Sequence, residues 1–294
     1  MTKQPVTVFG EVLFDHFPDG SRVLGGAPFN VAWHLQAFGQ QPHFISRIGE
    51  DATGAAISAA MQQWAMDMTG LQRDNSHPTG SVEVSIEHGE PDYQIVPEQA
   101  YDYIDAAALQ APVDSGLLYH GTLALRHPVA ASALAQLIGR HQGRVFIDVN
   151  LRQPWWDKDA VPAWLSRAHW VKLNQHELAA LYPVSGELNA DMRAFRAQYD
   201  LDGLIVTSGK HGASAIDRNG AVFSVTPQAV AQVVDTVGAG DAFSSVLLLG
   251  LNLGWPLALT LERAQSFASA LVGQRGATVS DRAFYQTFID AWAL

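Results

Sequence analysis

Apolar residues recur along the chain in short runs that alternate with helical patterns. In the first half these patterns predict two strands and two helices: strands at residues 6–14 and 43–48, helices at 31–38 and 53–66. Four further apolar runs predict strands at residues 117–120, 145–149, 170–173 and 204–207. Alternating strands and helices are typical of a mainly parallel sheet with helices on both faces. The pattern therefore predicts a doubly wound α/β fold.

Three segments depart from this alternation. Residues 79–96 alternate apolar and polar side chains around a Gly-containing turn, which predicts a β-ribbon with one face in water. A hairpin is predicted around Asn219-Gly220, and residues 239–294 are largely helical. Because the sequence shows no internal repeat or linker, we expect one domain, residues 1–294, with a ribbon that could cover a cleft.

Composition and charge narrow the class of protein. Of the 294 residues, 48% are hydrophobic, which is enough for one large core. The net charge is -11 and no cluster of Lys or Arg interrupts the acidic background, so no nucleic-acid partner is expected. The absence of cysteine excludes disulfides and thiolate metal sites. The longest apolar stretch is far shorter than a membrane span. We therefore expect a soluble, cytoplasmic protein without a membrane partner.

The run DTVGAGDAF, residues 235–243, carries the clearest chemical signal. Two glycines flank an alanine directly before an apolar helix, an arrangement that exposes backbone N–H groups where phosphate binds. A carboxylate would repel phosphate, so Asp241 fits better as the base that takes a proton from an attacking hydroxyl. The alternative is a tight turn at Gly238 and Gly240, with Asp241 as a helix cap. The run does not match G-x-G-x-x-G, and the chain contains no G-x-x-x-x-G-K-[ST].

Five sequence blocks together resemble the ribokinase-like (PfkB-type) carbohydrate kinases. DTVGAGDAF is similar to the C-terminal signature of that family, and GGAPFN at residues 25–30 is similar to its N-terminal signature. Three more blocks follow the family's order between them: DVNLR at 148–152, KLNQHE at 172–177 and VTSGKHG at 206–212. The similarity covers nearly the full chain, and GGAPFN with DVNLR most resembles the fructokinase-like branch. It implies a ribokinase-like fold and an ATP-dependent carbohydrate kinase.

The resemblance implies that the γ-phosphate of ATP is transferred to a primary hydroxyl of a small sugar, with fructose as the best match. Asp241 would be the catalytic base, and the amides of Gly238, Ala239 and Gly240 would form the anion hole. Ribose, a 2-keto-3-deoxy sugar acid and a nucleoside stay open as acceptors. A dinucleotide-dependent oxidoreductase is disfavoured because the Gly-Gly pair lies too far beyond the first strand. A catalytically silent sugar or nucleotide sensor is disfavoured because the base and the glycines are intact.

The resemblance places sugar binding mainly in the N-terminal blocks. The substrate-binding candidates are Asp15, Gly25, Gly26, Asn30 and Arg152. Glycine lets the backbone approach a ligand closely, and asparagine both donates and accepts hydrogen bonds. The alternatives are a solvated turn for Asp15 and a surface ion pair for Arg152. Glu11 is a weaker candidate, while Trp155 and Trp156 could stack on a sugar ring or pack in the core or lid.

Nucleotide and cation sites are implied by the same resemblance. The nucleotide-binding candidates are Asn174, Glu177, Thr207, Gly209 and Gly212. Glu177 would order Mg²⁺ through water, since Mg²⁺ keeps several waters in such sites. Its alternative is a helix acid favoured by the dipole. A K⁺ site beside the anion hole is a hypothesis whose matching positions are Asp235, Val237, Gly276 and Ser280.

The resemblance also gives the ribbon a role. A β lid built from about residues 13–24 and 79–103 would cover the cleft and protect ATP from hydrolysis. Lid strands in the family can pair between subunits, so a homodimer through the lid is an open expectation. The expected partners are a small sugar, ATP and, in a dimer, a second copy of the chain.

Overall fold

The computed structural model describes residues 4–87, 90–110, 116–227 and 233–294. Its strands are β1 (Val6–Phe9), β2 (Leu13–His16), β3 (Arg22–Gly25), β4 (His43–Gly49), β5 (Leu71–Asp74), β6 (Gly80–Glu87), β7 (Glu90–Ile95), β8 (Leu117–His120), β9 (Arg144–Asp148), β10 (Trp170–Asn174), β11 (Gly203–Thr207), β12 (Ala213–Asp217) and β13 (Val222–Val225). Its α-helices are α1 (Ala27–Ala37), α2 (Ala52–Gln63), α3 (Pro128–Arg140), α4 (Val161–Leu165), α5 (Gln175–Leu181), α6 (Leu188–Gln198), α7 (Ala239–Leu253), α8 (Leu257–Leu271) and α9 (Arg282–Trp292). Within those four ranges, no helix has the length and apolarity needed to cross a membrane.

Nine strands form one large sheet, in the spatial order β13-β12-β11-β10-β9-β8-β1-β4-β5. The strands from β11 to β5 are parallel, and the predicted hairpin β12-β13 adds two antiparallel strands at one edge. The chain winds from β1 towards β5 and then returns to β8 on the other side of β1. This reversal confirms the predicted doubly wound, mainly parallel α/β sheet.

The large sheet is the middle layer of the core. Neighbouring residues of a strand point to opposite faces, and on β8 the buried Tyr119 and Leu118 pack into different hydrophobic clusters. Apolar residues of α1, α2, α7, α8 and α9 cover one face, and those of α3, α4, α5 and α6 cover the other. The helices therefore lie on both faces, as the alternating pattern predicts.

The second sheet is small, with four strands in the order β3-β2-β6-β7. The pair β2-β6 is parallel, and both outer pairs are antiparallel. The strands come from residues 13–24 and 79–103, where the lid was expected, apart from Gly25 at the end of β3. The hairpin β6-β7 is the predicted ribbon, and its turn at residues 88–89 lies outside the described part of the chain.

Two predicted element bounds near the start of the chain are wrong. Residues 6–14 are not one strand, because β1 ends at Phe9 and β2 begins at Leu13 in the other sheet. The three residues between them are buried, and the short interruption by Gly10 and Glu11 in an otherwise largely apolar run does not by itself show a change of sheet. The helix predicted at 31–38 already begins at Ala27, because Pro28 in the first turn loses no helical hydrogen bond.

Candidate active site

A cavity of about 640 Å³ lies between the small sheet and the large one. Side chains of β2, β3, β6 and β7 line it on one side. The ends of β9 and β10, the loop after β9 and the N-terminus of α7 line it on the other. Open α/β sheets usually bind ligands outside the carboxyl ends of their strands, near the point where the winding reverses. The cavity occupies such a position.

The N-terminus of α7 faces this cavity with unpaired amides. Gly238 is the residue before the helix and has a left-handed backbone with φ 78°. A Cβ at this position would collide with Ala277, so the tight contact requires glycine. Among the described residues the amides of Gly238 and Gly240 have no hydrogen-bond acceptor, whereas Ala239 N–H donates to Thr236 O at 3.3 Å. Two of the three predicted anion-hole amides are therefore fully available to an anion.

Asp241 lies in the first turn of α7 and lines the same cavity. Its Oδ2 accepts a hydrogen bond from Asn30 Nδ2 at 2.8 Å, so residues 211 positions apart in the chain meet here. Burial raises the pKa of Asp241 to about 6, and the charge of Asp148 adds to the rise, while Asn30, Lys172 and Arg152 oppose it. A carboxylate with this pKa is ionised at neutral pH and basic enough to accept a proton.

The predicted sugar residues also line the cavity. Asp15 lies in β2 of the small sheet rather than in a solvated turn, and burial raises its pKa to about 6. Gly26 has φ 104°, and a Cβ there would lie 2.7 Å from the Glu11 carbonyl oxygen. Gly25 and Asn30 complete the side formed by the start of the chain.

Arg152 is exposed and lines the cavity from the loop after β9. Its charge lowers the pKa of Glu11, Asp15 and Asp241 against the larger effect of burial. Asn150 begins this loop with φ 39°, a left-handed conformation in which asparagine is enriched. Arg152 of the DVNLR block therefore places a positive charge near the carboxyl groups of the cavity. The alternative of a surface ion pair away from the cavity does not describe this position.

We expect Glu11→Gln to stabilise the protein at pH 8 but not at pH 4.5. The Glu11 side chain lines the cavity, its residue is 3% exposed, and its Oε2 has no hydrogen-bond partner among the described residues. Burial raises the pKa of Glu11 from 4.5 to about 7. A carboxyl group whose pKa is raised by folding does not destabilise the folded protein at pH values below its pKa in the unfolded chain. Above that pH its charge lowers the free energy of unfolding, and the loss grows until the pH has passed the pKa in the folded protein.

The full cost of the Glu11 charge above pH 7 is on the order of 3 kcal/mol. Glutamine carries no charge to bury, so the variant should melt at a higher Tm than the parent protein at pH 8 and at a similar Tm at pH 4.5. Thermal unfolding at the two pH values checks this. A Tm difference independent of pH would show that the Glu11 charge is not buried as described.

Two charged residues that line the cavity, Asp148 and Lys172, are not among the site residues predicted from the sequence. They face each other on neighbouring strands, and Lys172 Nζ donates to Asp148 Oδ2 at 2.7 Å. Ser244 Oγ of α7 donates to the same oxygen at 2.6 Å. The residues are only 2% and 6% exposed, respectively. Each of them places a charge inside an otherwise apolar strand run, and they could have been predicted from this feature of the sequence.

The five predicted nucleotide residues lie at the same edge of the large sheet but outside the cavity. Asn174 ends β10 and pairs in register with Thr207, which ends β11. Gly209 and Gly212 follow in the turn after β11. This group is therefore brought together by the fold, apart from the predicted sugar residues that line the cavity.

Glu177 has both carboxyl oxygens engaged by the backbone. Oε2 accepts from Asn174 N at 2.7 Å, and Asn174 Oδ1 accepts from Glu177 N at 2.9 Å, which is a capping box at the start of α5. Oε1 accepts from Leu151 N at 2.8 Å. Glu177 is thus a first-turn acid of α5, as its alternative describes, and it also caps the helix and ties it to the loop that carries Arg152.

The four positions matched to a K⁺ site are only partly brought together. Asp235 Oδ1 accepts from Val237 N at 2.9 Å, and Oδ2 accepts from Gly276 N at 3.0 Å. The carboxylate thus joins the segment before α7 to the loop before α9. Ser280 is exposed, and no hydrogen bond among the described residues links it to the other three.

The two tryptophans of the loop after β9 pack against the protein and do not line the cavity. Trp155 lies beneath the Arg126 guanidinium, 4.5 Å from the ring centroid. Trp156 packs against the hydrophobic cluster on the side of α3 and α6. Of the two alternatives, packing describes them better than stacking on a sugar.

Comparison with known proteins places this site in a family. The profile described as pfkB family carbohydrate kinase matches residues 7–283. Fructokinase from Klebsiella pneumoniae is 32% identical over 260 residues, which cover 84% of this chain and 84% of that protein. Aminoimidazole riboside kinase from Salmonella enterica, solved with aminoimidazole riboside and an ATP analogue, is 27% identical with a TM-score of 0.83 over 97% of this chain and 99% of that chain. A double mutant of Vibrio cholerae O395 fructokinase, solved with fructose, ADP and potassium ion, has the same fold, with 23% identity and a TM-score of 0.84 over 97% of this chain and 99% of that chain.

Proposed function

The chain belongs to the pfkB family of carbohydrate kinases and is an ATP-dependent sugar kinase, and we propose that its sugar is fructose. The proposal rests on one observation. A single cavity is lined by Asp241, by Gly238 and Gly240 with their free amides, and by the hydrogen-bond acceptors of β2 and α1. The base, the anion hole and the hydroxyl-binding groups of a sugar kinase then share one space.

The proposed reaction needs no covalent intermediate on the protein. The oxygen of a primary sugar hydroxyl attacks the γ-phosphorus of ATP, and its proton passes to the Asp241 carboxylate. The bond from that phosphorus to the β,γ-bridging oxygen breaks, and ADP leaves with the electron pair. The Gly238 and Gly240 amides would stabilise the charge on the transferring phosphoryl group.

The polar groups of the cavity favour a neutral acceptor. Glu11, Asp15, Asp92 and Asp241 all line it, and a carboxylate substrate would be repelled by them. Hydroxyl groups can instead donate to these carboxyls and to Asn30 Oδ1, which is buried without a partner among the described residues. This favours a sugar such as fructose over a 2-keto-3-deoxy sugar acid. The fructokinase relatives favour fructose over ribose or a nucleoside.

The nucleotide is proposed to lie at the ends of β10 and β11, beside the anion hole. Asn174, Thr207, Gly209 and Gly212 would line its place there. Mg²⁺ would accompany the phosphates, whose charge it neutralises when bound. Because Glu177 has both oxygens engaged by backbone N–H groups, it fits contact with Mg²⁺ through water better than direct ligation.

We expect the turnover rate to be severalfold higher in K⁺ than in tetramethylammonium. Asp235 holds the segment at Val237 against the loop at Gly276, and backbone carbonyls of two such facing segments can ligate K⁺. A bound cation would stabilise this arrangement next to the anion hole. Rates in chloride salts of the two cations at equal ionic strength check this, and equal rates would rule out activation by K⁺.

The small sheet is proposed to act as the lid of the cavity. It supplies lining residues from all four of its strands, so closing it would exclude water from the phosphates. Its edge strands, β3 and β7, have no further partner among the described residues, and such edges can pair with a second copy of the chain. Light scattering would distinguish the proposed homodimer from a monomer.

The decisive experiment for the function follows ADP release from Mg-ATP with a panel of sugars, sugar acids and nucleosides. Fructose should give the highest kcat/KM, and nuclear magnetic resonance of the product would identify the phosphorylated hydroxyl. Higher kcat/KM with another acceptor would replace fructose and keep the kinase. ATP binding without turnover of any acceptor would contradict the proposed reaction.

A further inference from the structure

The ammonium group of Lys172 lies next to the proposed anion hole. A Cβ placed on Gly240 would be 3.6 Å from Lys172 Nζ, so a side chain there would touch the ammonium. Lys172 also lines the cavity, although its residue is only 6% exposed. A buried cation thus lies beside Gly240, one of the two residues whose free amides would face the transferring phosphoryl group.

The charges of Lys172 and Arg152 both act on Asp241 but otherwise on different carboxyl groups. These two residues supply the lysine and arginine side chains among the described residues that line it. Arg152 lowers the pKa of Asp241 and, on the sugar side, of Glu11 and Asp15. Lys172 lowers the pKa of Asp241 and, on the nucleotide side, of Glu177, while burial acts in the opposite direction on both. Its position therefore suits the phosphoryl group.

Asp148 fixes the lysine to the same frame as the base. It accepts hydrogen bonds from Lys172 and from Ser244, which lies one turn after Asp241 on α7. Lys172 makes this one hydrogen bond within the described chain, although an ammonium group has three donors. Two donors are therefore left for a ligand, and the shared Asp148 links the lysine to the helix that carries Asp241.

We propose that Lys172 is a further catalytic residue that binds the γ-phosphate of ATP and stabilises its charge during transfer, with Asp148 and Ser244 as positioning residues. The proposal rests on the sugar kinase function above. A fixed donor aimed at developing charge in a water-poor site contributes about 10²–10³ in rate. The alternative is that the pair only joins β9 and β10, which a stability measurement alone would not distinguish.

The test compares Lys172→Met with the double variant Asp148→Asn/Lys172→Met. Removal of one partner from a buried ion pair is destabilising, whereas neutral replacement of both is often tolerated. The double variant should therefore regain most of the Tm lost in Lys172→Met. Its kcat should nevertheless stay about 100-fold below that of the parent protein. Recovery of kcat together with Tm would show that Lys172 is only structural.

Nucleotide affinity supplies a readout that does not depend on finding the sugar. Calorimetry should show ATP binding more weakly to Lys172→Met, while ADP, which lacks the γ-phosphate, should bind within about twofold of its affinity for the parent protein. Equal losses for ATP and ADP, or none for either, would overturn the proposal. If the parent protein phosphorylates no sugar, the proposed function is wrong. The comparison of ATP with ADP affinity would still show whether Lys172 contacts the γ-phosphate.

Two further variants separate charge from folding. Lys172→Gln keeps a hydrogen-bond donor for Asp148 and should lose kcat as Lys172→Met does, which decides the matter if the methionine variant does not fold. Arg47 forms an ion pair of the same 2.7 Å length with the buried Asp74, and neither residue lines the cavity. Arg47→Met should lower Tm and leave kcat within about twofold of the parent value. If Arg47→Met loses as much kcat as Lys172→Met, lower stability explains the loss of kcat in both variants.

Discussion

Replacing Asp241 by asparagine should lower kcat by about 10²–10⁴-fold, the contribution of a positioned general base. The asparagine side chain has the same size, and its amide oxygen can still accept the hydrogen bond from Asn30 Nδ2. It cannot take a proton from the sugar hydroxyl. The affinities for ATP and for the sugar should therefore change little, and steady-state kinetics with calorimetry would separate the two effects.

Stability and a second carboxyl group provide the controls for Asp241→Asn. Because burial raises the pKa of Asp241 to about 6, loss of its charge should not lower Tm at pH 8. Asp15→Asn changes another carboxyl of the same cavity, also in a half-buried residue, but we expect it to raise KM for the sugar more than it lowers kcat. If Asp241→Asn keeps more than a tenth of the parent kcat, Asp241 is not the base.

The large sheet and the glycine-rich start of α7 could be predicted because their signals are local. The parallel strands other than β5, which reads LQRD, are runs in which apolar residues predominate, and both glycines and the acid lie within residues 238–241 at the start of α7. Short-range pattern was sufficient for these features because the residues that define them are neighbours in the chain.

The parts that could not be predicted depend on contacts between distant segments. Only Gly10 and Glu11 interrupt the apolar run at the change from β1 to β2, and it is the pairing of β2 with β6 that shows β2 to belong to the other sheet. Asp148 and Lys172 lie 24 positions apart and meet only because β9 and β10 are neighbours in register. The sequence shows each charge but not its partner, and for this reason the cation beside the anion hole was missed.

Gly238→Ala should lower kcat by about 10²-fold, since loss of one donor to a developing anion typically has this effect. The left-handed backbone with φ 78° costs alanine about 1 kcal/mol relative to glycine. The added Cβ would also collide with Ala277. To relieve both, the backbone before α7 must shift, which turns the Gly238 and Gly240 amides away from the phosphoryl group.

The other end of α7 offers a matched control for this strain. Gly254 follows the helix with φ 70°, also left-handed, and it is exposed and far from the cavity-lining residues in the chain. Gly254→Ala should therefore lower Tm through the same backbone cost but leave kcat within about twofold. Steady-state kinetics and thermal unfolding of both variants decide the point. If the two variants lose kcat equally, general strain in α7 explains the loss and the amides of Gly238 and Gly240 are not the anion hole. A loss confined to Gly238→Ala ties turnover to the geometry of those amides.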